Sequence, residues 1–537
     1  MEKISGPIFP TLPISGRKKI IRKKSEIIEI KEFNATMTFK RSSGILLHPT
    51  SLPGPFGIGD LGPEAFRWID FLDETGTGLW QVLPLGPTGY ADSPYQCFSA
   101  LAGNPYLISP ELLLDDGLLS KEELQSHPDF STEKVDYGRV IPWKTDLLKK
   151  AYQNYKSSGR LADEFASFQE KNNFWLEDFA LFMAMKQAHQ LRPWVEWPEA
   201  LRDRQSQAIS AFRDTNRGGI IEQHAFDQFL FFRQWTSVRE YANQKKIQII
   251  GDVPIYVAHD SSDVWSHPEL YQLDDQGQPI VVAGVPPDYY SNTGQLWGNP
   301  IYKWHLHTKN SFDWWKQRME MVLSQVDIIR LDHFRGFAGY WEVPATETTA
   351  VNGRWMPGPG DTIFNQLRDH IGELPLIAED LGHITPDVIA LREQFNLPGM
   401  KIFQFGLESG NDDPFVPHNY EENCVAYTGT HDNDTSAGWY QKANPEHQNF
   451  ARAYLNLGEN PTNLGFTRTM INVLWKSAAV FTIAPLQDIF GLGTDARMNY
   501  PGTTSGNWQW RFNSSMITNE IKEWLQSVNS EANRMNP

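Results

Sequence analysis

Short apolar runs recur along the chain and alternate with longer segments of helical periodicity. Such runs predict buried parallel strands, because a strand that is covered by helices on both faces has few polar positions. A segment such as 63–72 instead carries Phe66, Ile69 and Leu72 on one face, as an amphipathic helix does. The predicted strands are 44–48, 79–85, 247–257, 327–332, 375–379, 399–405, 424–428 and 480–486.

The regular alternation of strands and helices predicts the fold class. It is typical of parallel βαβ units in an α/β protein, and a chain of 537 residues has room for a (β/α)8 TIM barrel. We expect this catalytic barrel to span residues 42–530. It is flanked by a predicted flexible N-terminal tail at 1–41 and a predicted C-terminal tail at 531–537.

Two stretches depart from the barrel repeat. Residues 108–220 are charged and helical with few strand signals, so we interpret them as an inserted helical subdomain. Within it, core packing explains the aromatic stripe of 174–187 better than a ligand site does. Residues 258–310, and 286–300 in particular, are dense in Pro, Gly and aromatic residues and predict a long ordered substrate loop.

Composition and charge exclude several classes of function. Hydrophobic residues make up 40% of the chain, which is enough for a large core, and the net charge of −17 disfavours a nucleic-acid or anionic-membrane partner. The two cysteines, Cys97 and Cys424, can form no disulfide framework, and neither lies in a metal-ligand spacing. No apolar run approaches the length of a transmembrane helix.

The cysteine content also bears on the compartment. It favours a reducing environment, so we expect a cytoplasmic protein. The basic clusters at 17–19 and 22–24 leave a plastid transit segment, and thus the plastid stroma, as the alternative. Glu26, Glu29 and Glu32 count against that alternative, since transit peptides are poor in acidic residues.

Three predicted strands run into a carboxylate: Asp332, Glu379 and Asp432. The C-terminal ends of barrel strands meet at one face, so these side chains should converge. Arg330 lies two residues before Asp332 and points to the same side of the strand, where its guanidinium favours the charged form of a carboxylate. Taken alone, each carboxylate is explained as well by a helix N-cap or a structural ion pair.

Glycosidic exchange with retention of configuration is the chemistry that needs such a set. One carboxylate attacks the anomeric carbon, and a second, held protonated about 5–5.5 Å away, gives its proton to the leaving oxygen. Glu379 follows an apolar run that holds no basic residue, so we expect its pKa to be raised. Asp332 is then the candidate nucleophile, and Asp432 is a candidate for binding the sugar hydroxyls.

Seven motifs resemble, in this order, those of the 4-alpha-glucanotransferases (amylomaltases, or disproportionating enzymes) of glycoside hydrolase family 77, in the α-amylase clan. They are 44–53, 93–95, 251–254, 287–289, 330–333, 378–382 and 430–432, and the resemblance covers residues 42–525. It implies that Asp332 is the nucleophile, Glu379 the general acid/base and Asp432 the transition-state stabiliser. It also implies a set of substrate-binding residues, namely Ser93, Tyr95, Asp252, Asp288, Tyr289, Gln295, Trp297, Arg330, His333, His431 and Asn507.

The resemblance carries further expectations. Family members need no metal or cofactor and lack the C-terminal β-domain common in the clan. The expected partners are α-1,4-glucans and maltooligosaccharides, bound by a monomer or a homodimer. The expected activity is transfer of an α-1,4-glucan segment to a new 4-hydroxyl through a covalent glucosyl-enzyme. Two alternatives stay open: an α-glucan hydrolase with the same carboxylates, and a catalytically silent glycan-binding protein.

Overall fold

The computed structural model describes residues 39–287 and 291–536. The predicted N-terminal tail at 1–41 lies almost entirely outside the described residues. Two of the predicted substrate-binding residues, Asp288 and Tyr289, lie outside them as well.

The predicted TIM barrel is confirmed. The strands of the described residues are Ser42–Leu46 (β1), Leu79–Gln81 (β2), Gln248–Pro254 (β3), Val281–Val285 (β4), Gln295–Pro300 (β5), Ile328–Asp332 (β6), Gly339–Pro344 (β7), Arg354–Pro357 (β8), Leu376–Ala378 (β9), Gly399–Ile402 (β10), Cys424–Tyr427 (β11) and Phe481–Pro485 (β12). Eight of them close a parallel barrel in the order β1-β12-β11-β10-β9-β6-β3-β2, and each coincides with a predicted strand.

Several barrel strands are shorter than the apolar runs that predict them. The run at 79–85 gives a strand only over Leu79–Gln81, and the run at 247–257 gives Gln248–Pro254. Proline explains the end of the second strand, because Pro254 is its last residue and has no N–H to donate to a neighbouring strand. The rest of each apolar run is buried as loop above the barrel.

A second sheet was not predicted. Strands β5, β4, β7 and β8 form a four-stranded antiparallel sheet in that order. The prediction of a loop over 258–310 is therefore wrong at Ser262–Ser266 and Trp304–Lys309, which are helices, and at Val281–Val285, which is β4. It is also wrong at Gln295–Pro300, which is β5. Its first four residues are exposed or half-buried, so β5 lacks the continuous apolar run by which a barrel strand is recognised.

Helices surround the barrel, and several of them lie in the long segment between β2 and β3. Up to β3 the α-helices are Pro63–Glu74 (α1), Pro110–Asp115 (α2), Lys121–Gln125 (α3), Tyr137–Ser158 (α4), Ala162–Lys171 (α5), Asn173–Ala188 (α6), Glu199–Arg202 (α7), Ser206–Asn216 (α8) and Glu222–Gln244 (α9). Trp175, Phe179 and Phe182 of α6 are at most 4% exposed, which agrees with core packing.

The remaining helices follow the later strands. They are Ser262–Ser266 (α10), Trp304–Lys309 (α11), Asp313–Gln325 (α12), Arg335–Ala338 (α13), Asp361–Ile371 (α14), Pro386–Gln394 (α15), Phe403–Ser409 (α16), Ser436–Lys442 (α17), Pro445–Tyr454 (α18), Asn463–Trp475 (α19), Leu486–Ile489 (α20) and Asn519–Glu531 (α21). Within the described ranges, no helix combines the length and apolar character needed to cross a membrane.

Two buried glutamines of α9 fix the long loop that follows β2. Gln228 accepts from the N–H of Gly103 at 2.7 Å and donates to its carbonyl oxygen at 2.9 Å. Gln234 accepts from the N–H of Ser109 at 2.7 Å. A primary amide satisfies buried backbone groups as a neighbouring strand would, so the loop is held to a helix in place of a sheet.

The last described residues stabilise the closure of the barrel between β1 and β12. Arg534 is 0% exposed, and burial lowers its pKa to about 9. Its guanidinium donates to the carbonyl oxygens of Ser42, Trp475, Ser477, Ala479 and Val480. These carbonyls belong to β1, to the last residue of α19 and to the turn before β12, and β1 pairs with β12 to close the barrel. The predicted C-terminal tail at 531–537 is therefore wrong for its described part, because this segment is anchored in the interior.

We expect Arg534→Ala to lower the free energy of unfolding by about 3–5 kcal/mol, because it leaves several buried carbonyl groups without a donor. Urea denaturation followed by tryptophan fluorescence measures this loss. The control is Lys522→Ala on α21, which removes an ion pair to Glu74 at 2.6 Å and should cost less than about 1 kcal/mol. Equal losses in the two variants would contradict the anchoring role.

Candidate active site

One arginine joins two carboxylates at the C-terminal end of the barrel. Nη1 of Arg330 lies 2.8 and 2.7 Å from the two carboxylate oxygens of Asp252 and donates to Oδ1 of Asp332 at 2.9 Å. The strand register explains this contact, because β3 and β6 pair Asp252 with Arg330 and Pro254 with Asp332. The predicted contact between Arg330 and Asp332 is confirmed, and Asp252 shares the same nitrogen.

Asp252 and Tyr95 form the wall beside this arginine. The hydroxyl of Tyr95 donates to Oδ2 of Asp252 at 3.0 Å. Burial raises the pKa of Asp252, and the charge of Arg330 opposes that rise. Burial also raises the pKa of Tyr95 well above its ordinary value, so the phenol stays a donor. The ring of Tyr95 stacks on His431 with 5.1 Å between centroids, and Trp508 packs against both rings.

Glu379 follows β9 and is held by two backbone donors. Its Oε2 accepts from the N–H of His333 at 2.7 Å, and its Oε1 accepts from the N–H of Leu381 at 2.9 Å. Burial raises the pKa of Glu379 to about 7, the charge of Asp332 adds to the rise, and Arg330 with the two N–H groups opposes it. The direction predicted from the apolar run is confirmed, and burial is the main cause.

His333 takes a backbone conformation that few residues adopt. Its φ is +53°, in the left-handed region, which costs a non-glycine residue about 1 kcal/mol or more. In this conformation its N–H meets the Glu379 carboxylate. Burial lowers the pKa of His333 to about 4, so its ring is neutral, and the ring of Trp297 contacts it at 4.7 Å between centroids.

Asp432 is the most open of the three predicted catalytic carboxylates, with a side chain that is 50% exposed. Nδ2 of Asn499 donates to its Oδ1 at 2.7 Å, and Nη2 of Arg497 donates to its backbone oxygen at 2.6 Å. Nε2 of His431 lies 3.5 Å from Oδ1. The carboxylate is thus fixed on one side and free on the other, as a group that accepts from ligand hydroxyls must be.

Three predicted binding residues form hydrogen bonds with residues close to them in the sequence. Oγ of Ser93 accepts from the N–H of Tyr95 at 3.2 Å, which shapes the turn that presents the tyrosine. Oε1 of Gln295 accepts from Nε1 of Trp297 at 3.1 Å. Oδ1 of Asn507 accepts from the N–H of Tyr500 at 3.0 Å, and its Nδ2 donates to the carbonyl oxygen of Thr503 at 3.1 Å. Asn507 therefore holds the loop 500–507 together, and its amide is engaged there.

Other residues at the site were missed by sequence reasoning. Asn499 and Arg497 hold Asp432, Trp508 packs on Tyr95, and Sδ of Met400 lies 3.3 Å from Nε of Arg330. The first three lie in the polar, breaker-rich segment after β12, and loops that follow barrel strands are where binding residues occur. That placement was a usable signal. Met400 lies within an apolar run and gave none.

Comparisons with known proteins identify the relatives of this chain. A family model described as 4-alpha-glucanotransferase matches residues 47–517. The chain belongs to this family. A 4-alpha-glucanotransferase of Thermus thermophilus is 47% identical and is matched over 93% of this chain and 100% of its own. A chloroplastic/amyloplastic 4-alpha-glucanotransferase of Solanum tuberosum is 45% identical over 89% of this chain and 83% of its own.

The fold of the chain also agrees with that of a solved amylomaltase structure. An amylomaltase from Streptococcus agalactiae, solved in complex with acarbose, superposes with a TM-score of 0.89 at 41% identity. The match covers 93% of this chain and 100% of that one, so it includes the barrel and its insertions. Within residues 39–287 and 291–536, no group of three or more His, Cys, Asp or Glu side chains is arranged to hold a metal ion.

We expect Asn499→Ala to lower kcat about tenfold, because the Asp432 carboxylate loses the charge-assisted hydrogen bond that holds it. Glucose release from maltotriose measures the rate. The matched control is Asn352→Ala, which removes a similar bond to the Glu347 carboxylate at 3.1 Å in the exposed connection between β7 and β8. The control should keep kcat within about twofold of the parent value. An unchanged rate in Asn499→Ala would argue against a role for Asp432 held in this position.

Proposed function

We propose that this member of the 4-alpha-glucanotransferase family moves a segment of an α-1,4-glucan to the 4-hydroxyl of glucose or of another α-1,4-glucan. The reaction is a retaining double displacement through a covalent glucosyl-enzyme. The observation that carries the proposal is the contrast between two neighbouring carboxylates. Asp332 is paired with a buried guanidinium, and Glu379 is half-buried with a raised pKa.

In the first step, the ionised carboxylate of Asp332 attacks the anomeric carbon of the donor. Glu379 gives its proton to the glycosidic oxygen, so the bond from carbon to that oxygen breaks and the reducing-end portion leaves. Arg330 supports this division of roles because it lies against Asp332, whereas the donors that contact the Glu379 carboxylate within residues 39–287 and 291–536 are two backbone N–H groups. Two carboxyl groups in different environments can then act as nucleophile and acid at one pH.

In the second step, Glu379 is a carboxylate and takes the proton from the 4-hydroxyl of the acceptor. The acceptor oxygen bonds to the anomeric carbon, and Asp332 leaves as a free carboxylate. We assign Asp432 to the sugar hydroxyls, where it stabilises the positive charge of the ring in both transition states. Its open face supports this assignment, as do the fixed contacts on its other side.

The donor glucose is assigned to the wall around Arg330. Asp252, Tyr95 and His431 line this wall, and Tyr95 and His431 present stacked rings. Trp297 and Gln295, on the largely exposed β5, are assigned to binding the same glucan, together with Ser93, His333, Asp288, Tyr289 and Asn507.

An α-glucan hydrolase is the second candidate, because water can also react with the glucosyl-enzyme. The products of the reaction distinguish the two activities. The relatives' name, 4-alpha-glucanotransferase, favours transfer.

We place the protein in the cytoplasm, with the plastid stroma as the alternative. The chloroplastic/amyloplastic relative from Solanum tuberosum supports keeping that alternative. A monomer or a homodimer is proposed as the working form. Fluorescence microscopy of the tagged full chain in its host and light scattering of the purified protein test these two assignments.

Maltotriose tests the proposed activity. Transfer should give glucose together with oligosaccharides longer than maltotriose, whereas a hydrolase would give only shorter products. Asp332→Ala should reduce turnover by at least about 10⁴-fold, because the covalent intermediate can no longer form. Chromatography of the products over time measures both. Shortening without lengthening would exclude the transferase, and unchanged turnover in Asp332→Ala would exclude the nucleophile. A parent protein that binds maltotriose without converting it would instead favour the silent glycan-binding alternative.

The pH profile tests the role of Glu379. Only its protonated form can donate, and its pKa is about 7, so kcat/KM on maltotriose should fall on the basic side with an apparent pKa near that value. A donor with a fluoride leaving group, such as α-maltosyl fluoride, needs little proton donation. Its kcat/KM should stay nearly flat over the same range. A basic limb of equal position and depth for both donors would contradict the assignment.

A further inference from the structure

The two backbone donors to Glu379 come from different loops. The N–H of His333 belongs to the loop after β6, and the N–H of Leu381 belongs to the loop after β9. Each donor binds a different oxygen of the carboxylate. The orientation of Glu379 therefore depends on the distance between these two loops. The hydrogen bonds to Glu379 connect the loops close to the strands from which they emerge.

Arg335 connects the same two loops at a point further along each of them. It lies two residues after His333, and its Nη1 donates to the carbonyl oxygen of His383, two residues after Leu381. The loops are thus joined at Glu379, whose backbone oxygen also accepts from the N–H of Phe334 at 3.0 Å, and a second time through Arg335. Arg335 is 6% exposed and His383 is exposed, so this second link runs from the interior to the surface of the protein.

Arg335 is itself fixed by the second sheet. Its Nε donates to the carbonyl oxygen of Gly339, at the start of β7, at 3.3 Å. Its guanidinium carbon lies 3.8 Å from the ring centre of Trp355 on β8. The edge of Trp341, the register partner of Trp355, packs on that ring with 5.2 Å between centroids. The guanidinium therefore has a set position from which to reach His383.

We propose that Arg335 is a positioning residue of the transfer reaction, which fixes the separation of the two N–H groups that orient Glu379. The proposal rests on the acid/base role of Glu379 proposed above. The contacts of Arg335 that carry it are two carbonyl oxygens and an aromatic ring, all uncharged. A planar guanidinium can meet these partners together, whereas the ammonium of a lysine would meet one of them.

The effect of Arg335 on Glu379 passes through geometry. The charged groups that act directly on Glu379 are Asp332, which raises its pKa, and Arg330, which lowers it. The neighbouring ring of His333 is neutral, since burial lowers its pKa to about 4. A variant that keeps a positive charge at position 335 and loses the link to His383 therefore separates position from charge.

Arg335→Lys is that variant. We expect kcat on maltotriose to fall about 10–100-fold with KM changed less than about threefold, because Glu379 is misplaced while the glucan wall is intact. The basic limb of kcat/KM should move to higher pH by about 0.5–1 unit, since weaker N–H bonds favour the carboxylate less. Arg335→Gln, which is uncharged and also too short for the link, should show the same shift. Circular dichroism and urea denaturation establish that each variant is folded.

Arg368→Lys is the matched control, because Arg368 also covers an aromatic ring, that of Phe395 at 5.4 Å, on the outer helix α14. It should keep the parent kcat and pH profile. The proposal would be overturned if Arg335→Lys had the same kcat and pH profile as the parent protein. This holds also if the variant were less stable than the parent. A shift in Arg335→Gln that Arg335→Lys abolishes would also overturn it, because charge would then be the cause. Glu379→Gln separates this failure from that of the proposed function: full activity in Glu379→Gln removes the acid/base role itself.

Discussion

A single nitrogen, Nη1 of Arg330, donates to carboxylates on two neighbouring barrel strands. Both acceptors are in reach only because the register places Asp252 opposite Arg330 and Pro254 opposite Asp332. A slip of one residue would turn Arg330 from the barrel interior toward the helices. A buried guanidinium is costly without its partners, so the alignment of β3 with β6 and the charge state of the site are stabilised by the same contact.

Around this contact the barrel and the added elements have different tasks. Barrel strands deliver Asp252, Asp332 and Glu379 to one end, as their register requires. Residues from the loops then fix the orientation of these carboxylates. Tyr95, which donates to Asp252, comes from the loop after β2, and Gln228 and Gln234 fix this loop to α9. The polar segment after β12 supplies the groups that fix Asp432.

The parts of the fold that sequence predicts are those with one strong physical signal. The eight barrel strands are buried on both faces, so each is an apolar run that composition alone reveals. Strand β5 is largely exposed, and its backbone pairing across the sheet leaves no such trace. Glu379 was predictable for the same reason as its strand, because the apolar run that buries β9 also desolvates the carboxylate. Asn499 and Asn507 show the limit: both are polar residues in one loop, and only the folded chain tells which amide meets Asp432 and which closes the loop.

The anchoring of Arg534 has a consequence for synthesis of the chain. Strand β1 pairs with β2 on one side and with β12 on the other, and Arg534 binds carbonyls of β1 and of the turn before β12. Among the described strands β1 is made first, whereas β12, its second partner, and Arg534, which binds both strands, are made hundreds of residues later. Through most of translation β1 has one open edge, and such an edge invites pairing with other chains. Closure of the barrel is therefore a late event that waits for β12 and Arg534 to leave the ribosome, whatever the order in which the inner units form.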